Sequence, residues 1–189
     1  MRHVLTPLAL AAAILPATAH AADQLDCVSS GYSAQQQAVL DAHVAAFEIS
    51  DMDTQKRPVE VISIIEQRAQ QCARQLGWSD AASDAAGLYH LGSLTAGSIR
   101  RKHPEAAAVM DKIDTDLSDA DRERFWSIMT SATGAGDTKK QPTSDDFMFI
   151  GMVIMRFQPD VDTAQQNTIG ALMGMEALLR NTQATFSEL

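Results

Sequence analysis

The stretch from Pro58 to Trp78 constrains the fold of this chain more than any other. Its sequence, PVEVISIIEQRAQQCARQLGW, repeats apolar residues at spacings of three and four: Ile62, Ile65, Ala69, Cys72 and Leu76. This spacing places them on one face of an α-helix. Pro58 suits the first helical turn, and Gly77 suits the left-handed residue just past a helix end. The pattern predicts a helix with one buried face and with both ends marked.

The chain has two cysteines, and Cys72 lies on this apolar face while Cys27 lies near the N-terminus. Two cysteines in a small domain usually pair if the domain is in an oxidising compartment, and the absence of a CxxC motif disfavours a redox-active or metal-binding thiol pair. We therefore expect a disulfide between Cys27 and Cys72. On the chain-entropy model such a bond stabilises the fold by about 4 kcal/mol and fixes the N-terminal segment to the helix.

The first residues have the composition of a secretory signal peptide. Arg2 precedes an apolar run from Val4 to Leu15, and small residues surround a cleavage position after Ala21. The run is too short to span a bilayer. Residues 1–21 are therefore interpreted as a cleaved leader, and residues 22–189 as a single helical domain in the periplasm or outside the cell.

The charge balance bears on possible partners. The leader contains one charged residue, Arg2, so the mature chain keeps 14 basic and 24 acidic residues. A chain this acidic is repelled by nucleic acid and by anionic lipid, which both require clustered Lys and Arg. If charge matters for binding, the partner is cationic; otherwise the acidic residues only keep the protein in solution. A mature length of about 168 residues is enough for one domain with a substantial core.

Helical patterns also cover the rest of the mature chain. Ser33 and Gln36 form a potential capping box before a helix that we expect to reach Asp51. Ser79 precedes a helix with an apolar face at Leu88, Leu91, Thr95 and Ile99 that ends in the basic cluster 100–103. Pro104 begins a fourth helix with Ala106, Met110, Ile113 and Leu117 on one side, and Ser118 with Asp121 caps a fifth that runs to about Ser131.

The C-terminal third contains a polar segment and two apolar helices. Residues 132–143 combine Gly, Pro and Lys and predict an exposed loop. The following run, FMFIGMVIMRF, is apolar on all sides, so we expect it in the middle of a bundle. Gly170 and Gly174 lie one turn apart in the last helix and predict close packing there. No segment alternates with the period of two typical of strands, so the fold class is an all-α bundle of six or seven helices with one disulfide.

Catalytic and nucleotide-binding motifs are absent: the sequence contains no HExxH, GxSxG, GxxxxGK, CxxCH or dinucleotide fingerprint. One weaker signal is the glycine-rich third helix, since an interior glycine costs about 0.8 to 1 kcal/mol relative to Ala. Close packing at Gly92 would offset this cost. The alternative is a ligand resting on exposed backbone, with Tyr89, His90 and Gly92 as its contacts.

Two patterns raise the question of a metal, although we assign no cofactor and no metal ligand from the sequence. The acidic run from Asp111 to Glu123 offers oxygen ligands for calcium, but its spacing does not match an EF-hand and its residues suit helix starts. Met148, Met152 and Met155 share one helix face, and thioethers select Cu(I). Methionine also fills gaps in cores, and we expect core packing here.

No catalytic residue can be assigned, and the remaining enzymatic option is a carboxylate acting as acid or base. The possibilities are Glu60, Glu66, Glu105 and Glu176, of which Glu176 lies closest to an apolar face. The favoured function is therefore a non-enzymatic helical binding or accessory protein whose partner is a cationic protein or a small ligand. The first alternative is a carboxylate-dependent hydrolase or lyase acting on cell-wall glycan. The second is a carrier of a metal or a small ligand.

Overall fold

The computed structural model describes residues 24–52, 58–133 and 141–189, and within these ranges the secondary structure is helical with no β-strand. The predicted fold class, an all-α helical bundle, is confirmed. A 3₁₀ turn at Ile49–Met52 accompanies seven α-helices: α1 (Ala34–Ala46), α2 (Val59–Leu76), α3 (Asp80–Lys102), α4 (Pro104–Asp116), α5 (Asp119–Ala132), α6 (Ser144–Phe157) and α7 (Thr163–Glu188).

Short polar side chains start most of these helices, as the sequence indicated. Ser33 accepts a hydrogen bond from the amide of Gln36, whose side chain accepts from the amide of Ser33, so the predicted capping box is present. Ser79 and Ser118 also cap their helices. Each cap satisfies an amide at a helix start that has no partner within the helix.

Helix α1 is shorter than predicted. It ends at Ala46 and not near Asp51, because Phe47 leaves the helical conformation with φ −57° and ψ 130°. The ring of Phe47 is buried in the main core, and its carbonyl accepts a hydrogen bond from Nζ of Lys102 at the end of α3. Burial of the ring and this long-range hydrogen bond outweigh continuation of the helix.

Helix α2 has the predicted ends but a slightly rotated buried face. It begins one residue after Pro58, and Gly77 follows it with φ 74°, in the left-handed region. The buried residues are Val61, Ile64, Ile65, Ala69 and Cys72. Leu76 is exposed and Ile62 only half-buried. The buried side of α2 is instead the one that packs on Leu40 of α1, through Val61, Ile64 and Ile65.

The N-terminal segment is fixed to α2 by the predicted disulfide and packs against α3. The Cys27 and Cys72 sulfurs are bonded, with the two Cα atoms 6.0 Å apart. Leu25 and Val28 are buried beside the bond, in a cluster that includes Phe186 near the end of α7. The indole N–H of Trp78 donates to the side chain of Gln24 at 2.9 Å. The disulfide therefore lies within a packed cluster of side chains.

Helices α3 and α7 form the most extensive helix pair, and α3 also packs along α2. Small residues line the buried side of α3, including Ala82, Ala86 and Gly92. The predicted face is only partly buried: Ile99 is buried as predicted, whereas Leu91 and Thr95 are half-buried and Leu88 is exposed. The predicted face of α4 is confirmed, because Ala106, Met110, Ile113 and Leu117 are all buried.

Two predictions for the C-terminal third are wrong. Helix α6 does not lie in the middle of the bundle; it packs on α4 and α5 through Ile150 and Val153, and its other side is exposed. Gly170 and Gly174 do not mediate close packing, because a Cβ atom added at either position would meet nothing within 4 Å. The close approach occurs at Gly92, where an added Cβ would lie 3.1 Å from Cδ2 of Leu179.

Part of the sequence interpretation lies outside the described residues. The predicted leader, residues 1–21, is one such segment, and the centre of the predicted loop, residues 134–140, is another. At the edges of that loop, Ala132 still belongs to α5, whereas Thr133, Gln141 and Thr143 are exposed. Among the helices of the described ranges, none has the length and apolar character needed to cross a membrane.

Candidate functional site

One side of α6 exposes an apolar surface that no described part of the chain covers. Phe147, Met148, Met152 and Met155 are 55%, 58%, 54% and 58% exposed, respectively. Steps of one, four and three along the helix place them on a common side together with Gly151, where an added Cβ would meet nothing within 4 Å. These five residues are called the α6 face below. Large exposed apolar patches of this kind mark interaction sites in proteins that function in water.

The start of α6 is held firmly by polar contacts. Thr143 and Asp146 form a capping box, and Arg124 of α5 donates to Asp146 at 3.4 Å. The same guanidinium lies 4.2 Å from the ring centre of Phe149. Hydrogen bonds from the backbone and side chain of Thr143, with a smaller contribution from Arg124, lower the pKa of Asp146. The α6 face is therefore presented on a helix that is anchored at its N-terminal end.

Acidic residues flank both ends of the α6 face. Asp145 and Asp146 lie at its N-terminal end, and Asp160 and Asp162 follow its C-terminal end. The single basic residue between positions 141 and 162 is Arg156, whose guanidinium lies 5.3 Å from the ring centre of Phe157. Together with Arg124, which pairs with Asp146, these four carboxylates and Arg156 carry a net charge of −2, of the same sign as the charge of the whole chain. None of the five residues of the α6 face has a titratable side chain.

His90, one of the predicted ligand contacts, is buried against Tyr32 of the N-terminal segment. Their ring centres are 5.7 Å apart, and the two ring planes are nearly parallel. Burial lowers the pKa of His90 to about 4, and Nε2 has no hydrogen-bond partner among the described residues. Burial also raises the pKa of Tyr32 to about 12, although Arg68 acts in the opposite direction, and the Tyr32 hydroxyl donates to the carbonyl of Val28 at 2.7 Å.

The other two predicted ligand contacts have different neighbours. Gly92 packs against Leu179 of α7, and Tyr89 packs against the cluster around the disulfide. The structure therefore does not bring Tyr89, His90 and Gly92 together at one surface. A ligand-binding role for these three residues stays a prediction, while the close helix packing expected at Gly92 is present.

Glu176, the carboxylate singled out for acid–base chemistry, belongs to an ion-pair network. Its Oε1 accepts from Nε of Arg100 at 2.9 Å, and the same guanidinium donates to Asp111 at 2.8 Å. Burial acts to lower the pKa of Arg100, but the hydrogen bonds and charges of the two carboxylates outweigh it and raise that pKa. Glu105 lies 3.3 Å from His103, and Glu60 and Glu66 are exposed. These contacts assign Glu176 a structural role that joins α3, α4 and α7.

The acidic run between α4 and α5 is also engaged in contacts within the protein. Asp114 accepts hydrogen bonds from Arg180 at 2.7 Å and from the indole of Trp126 at 2.8 Å. Asp119 pairs with Arg122, and Asp121 accepts from the hydroxyl of Ser118. In the described part of the chain, no three His, Cys, Asp or Glu side chains are grouped so that they could hold a metal ion.

Sequence reasoning placed the α6 methionines in the core and so missed the α6 face. An all-apolar helix carries no period that separates its buried side from its exposed side. Comparison with protein-family models, with characterised proteins and with solved structures finds no match to this chain. The geometry thus defines the class: an all-α bundle braced by one disulfide, with an apolar face on α6 that the described residues leave uncovered.

Proposed function

We propose that this chain is an exported, non-enzymatic accessory protein that binds a basic amphipathic helix of another protein on the α6 face. The observation that carries the proposal is the exposure of Phe147, Met148, Met152 and Met155 on one side of an anchored helix. Leaving four large apolar side chains in water forgoes the free energy that their burial would supply. A partner that covers them recovers it.

Methionine suits this task because its side chain is unbranched and its thioether is polarisable. Such side chains adapt to partners of different shape, and methionine-rich surfaces commonly receive amphipathic helices. Gly151 supports the same interpretation, since it lies open between Met148 and Met152 and leaves room for a partner side chain. The α6 face thus offers an apolar stripe with a shallow gap near its centre.

The acidic surroundings favour a cationic partner over a second copy of this chain. Two copies related by a twofold axis across α6 would run antiparallel and would set Asp145 of one chain near Asp160 of the other. The negative ends would then repel each other twice. A partner helix with lysines or arginines at both ends of its apolar side would instead gain attraction at both positions.

Binding of designed peptides tests the proposal directly. Two labelled helical peptides carry the same leucine face, one with lysine and the other with glutamate on the polar side. Fluorescence anisotropy measures the affinity of each peptide. We expect the lysine peptide to bind, and we expect its affinity to fall as the salt concentration is raised. The triple variant Met148→Gln, Met152→Gln, Met155→Gln should weaken binding by at least about tenfold, because much of the apolar contact is lost.

A matched control uses exposed apolar residues on α2. Val59 and Leu76 are exposed and lie outside the α6 face, so Val59→Gln with Leu76→Gln should leave binding of the lysine peptide unchanged. Equal affinity for both peptides, or equal losses in the two variants, would contradict the proposal. Dimerisation of the wild-type chain that the triple variant abolishes would show instead that the α6 face binds a second copy.

A second candidate function, Cu(I) carriage, is favoured by the same exposed methionines. Met148, Met152 and Met155 are spaced by four and three residues, so their thioethers lie on one side of α6, and soft thioether sulfur selects Cu(I). Replacing all three by leucine removes the sulfurs but keeps the side apolar. If this leucine variant loses Cu(I) binding but still binds the lysine peptide, both helix binding and Cu(I) carriage are supported. A wild-type chain with no Cu(I) affinity in a competition titration excludes the second.

A further inference from the structure

An open groove runs along the outer surface between α2 and α3, and no residue of α6 lines it. Its volume is about 530 Å³, within the range of small-molecule sites. The apolar part of its lining comes from Ile62, Ile65, Leu88 and Leu91. Leu88, which is exposed, and Ile62 and Leu91, which are half-buried, are among the residues that the sequence placed on buried faces. Their apolar surface is available to a ligand.

Small residues keep the floor of the groove open. Ala69 of α2 lies opposite Gly87 of α3, and Ser83 lies one turn before Gly87. A Cβ atom added at Gly87 would lie 3.7 Å from Cβ of Ala69 and 3.8 Å from Cγ2 of Ile65, which are ordinary contact distances. Packing therefore does not require glycine at position 87, although glycine lowers helix stability relative to alanine. Its effect in this structure is to keep the floor of the groove free of a side chain at position 87.

Each wall of the groove carries one carboxylate, Glu66 on α2 and Asp84 on α3. Both are exposed, and within the part of the chain that the structure describes neither makes an ion pair or a hydrogen bond. No lysine, arginine or histidine is among the residues that line the groove. Two unpaired negative charges thus stand at the edges of an apolar floor.

From this arrangement we propose that the α2–α3 groove binds a small organic cation with an apolar body. The ammonium group lies between Glu66 and Asp84, and the hydrocarbon part covers Ile62, Leu88 and Leu91, whose side chains are exposed or half-buried. The volume suits a single small molecule and not a helix of a partner protein. This site is independent of the α6 face, so either can fail without the other.

Two probes with the same hydrocarbon tail test the proposal on the full chain. Decyltrimethylammonium should bind below its micelle concentration in calorimetry, and decyl sulfate should bind at least about tenfold more weakly, since its charge is repelled. In amide NMR spectra, decyltrimethylammonium should shift signals from residues 62–70 and 83–91. The double variant Glu66→Gln, Asp84→Asn should lower the affinity for decyltrimethylammonium by about tenfold and reduce the preference of the chain for this cation over decyl sulfate.

Glu60→Gln with Glu123→Gln is the matched control, because it removes two exposed charges that lie outside the groove. It should leave the affinity for the cation unchanged. Equal binding of the two probes, equal losses in the two double variants, or signal shifts confined to residues 147–155 would overturn the groove proposal. The last outcome would show that the tail binds the α6 face, which separates failure here from failure of the proposed protein-binding function.

Discussion

The imidazole of His90 is buried beside Tyr32, and its Nε2 atom finds no hydrogen-bond partner among the described residues. A buried polar atom without a partner costs free energy, so this histidine is retained at some expense to stability. The sequence could show a histidine next to a tyrosine in a helix, but not that Tyr32, 58 positions away, would stack on it. That neighbour depends on where the disulfide places the N-terminal segment.

The buried His90 makes stability depend on pH in a defined window. Its pKa is about 4 in the folded chain and 6.5 in its ordinary state, so the unfolded chain takes up the proton first as pH falls. Stability is therefore lost progressively from about pH 6.5 down to about pH 4, by up to about 3 kcal/mol. In urea denaturation, His90→Phe should match or exceed wild type at pH 7.5 and lose less stability at pH 4.5. Parallel pH profiles for the two chains would contradict this.

Two glycines of α3 offer a matched pair of substitutions. Gly87→Ala should raise the free energy of unfolding by up to about 1 kcal/mol, because alanine favours the helix and its Cβ meets ordinary contacts. Gly92→Ala should gain less or lose stability, since its Cβ would lie 3.1 Å from Leu179, which must move. Thermal unfolding of both variants checks this order. A larger gain at Gly92 would mean that its close packing is unimportant.

At the scale of helices, the starts and the glycine-marked end of α2 were easier to predict than buried faces, although the end of α1 was not predicted correctly. Local chemistry sets the ends, so Ser33, Ser79, Ser118 and Gly77 could be recognised without knowledge of any neighbour. Faces depend on which helix lies opposite. Helix α4 has one apolar side and was predicted correctly, whereas α6 is apolar on every side and could not reveal that only Ile150 and Val153 are buried.

The ion pairs of Arg100 connect three helices, and their two carboxylates should contribute unequally. The side chain of Glu176 is 16% exposed and that of Asp111 is 66% exposed. Glu176→Gln should lower the free energy of unfolding by about 1 to 2 kcal/mol, because the partly buried guanidinium loses its better-shielded partner. Asp111→Asn should cost less than about 0.5 kcal/mol. Urea unfolding at neutral pH compares them, and equal losses would contradict the assigned role of Glu176.

At the scale of the whole molecule, the predicted leader and the disulfide imply the same compartment, since disulfides persist where the surroundings are oxidising. We therefore predict that the chain is exported, begins at Ala22 after cleavage and has the mass of the oxidised form, two hydrogens lighter than the reduced one. Intact-mass spectrometry of the protein released from the periplasm or the medium measures both properties. Retention of Arg2 together with two free thiols would contradict the export that the proposed function requires.

The disulfide also lies in the cluster where the segment around Cys27 packs with Phe186 of α7. Cys27→Ser keeps the buried sulfur of Cys72 and removes only the cross-link, so it should lower the free energy of unfolding by up to about 4 kcal/mol. Reduction of the wild-type chain should produce a similar loss, and the variant should not respond to reductant. Hydrogen exchange should increase first in residues 24–32, whose attachment to α2 depends on the bond. If exchange increased equally throughout α3 and α7, the bond would support the whole bundle and not mainly its N-terminal segment.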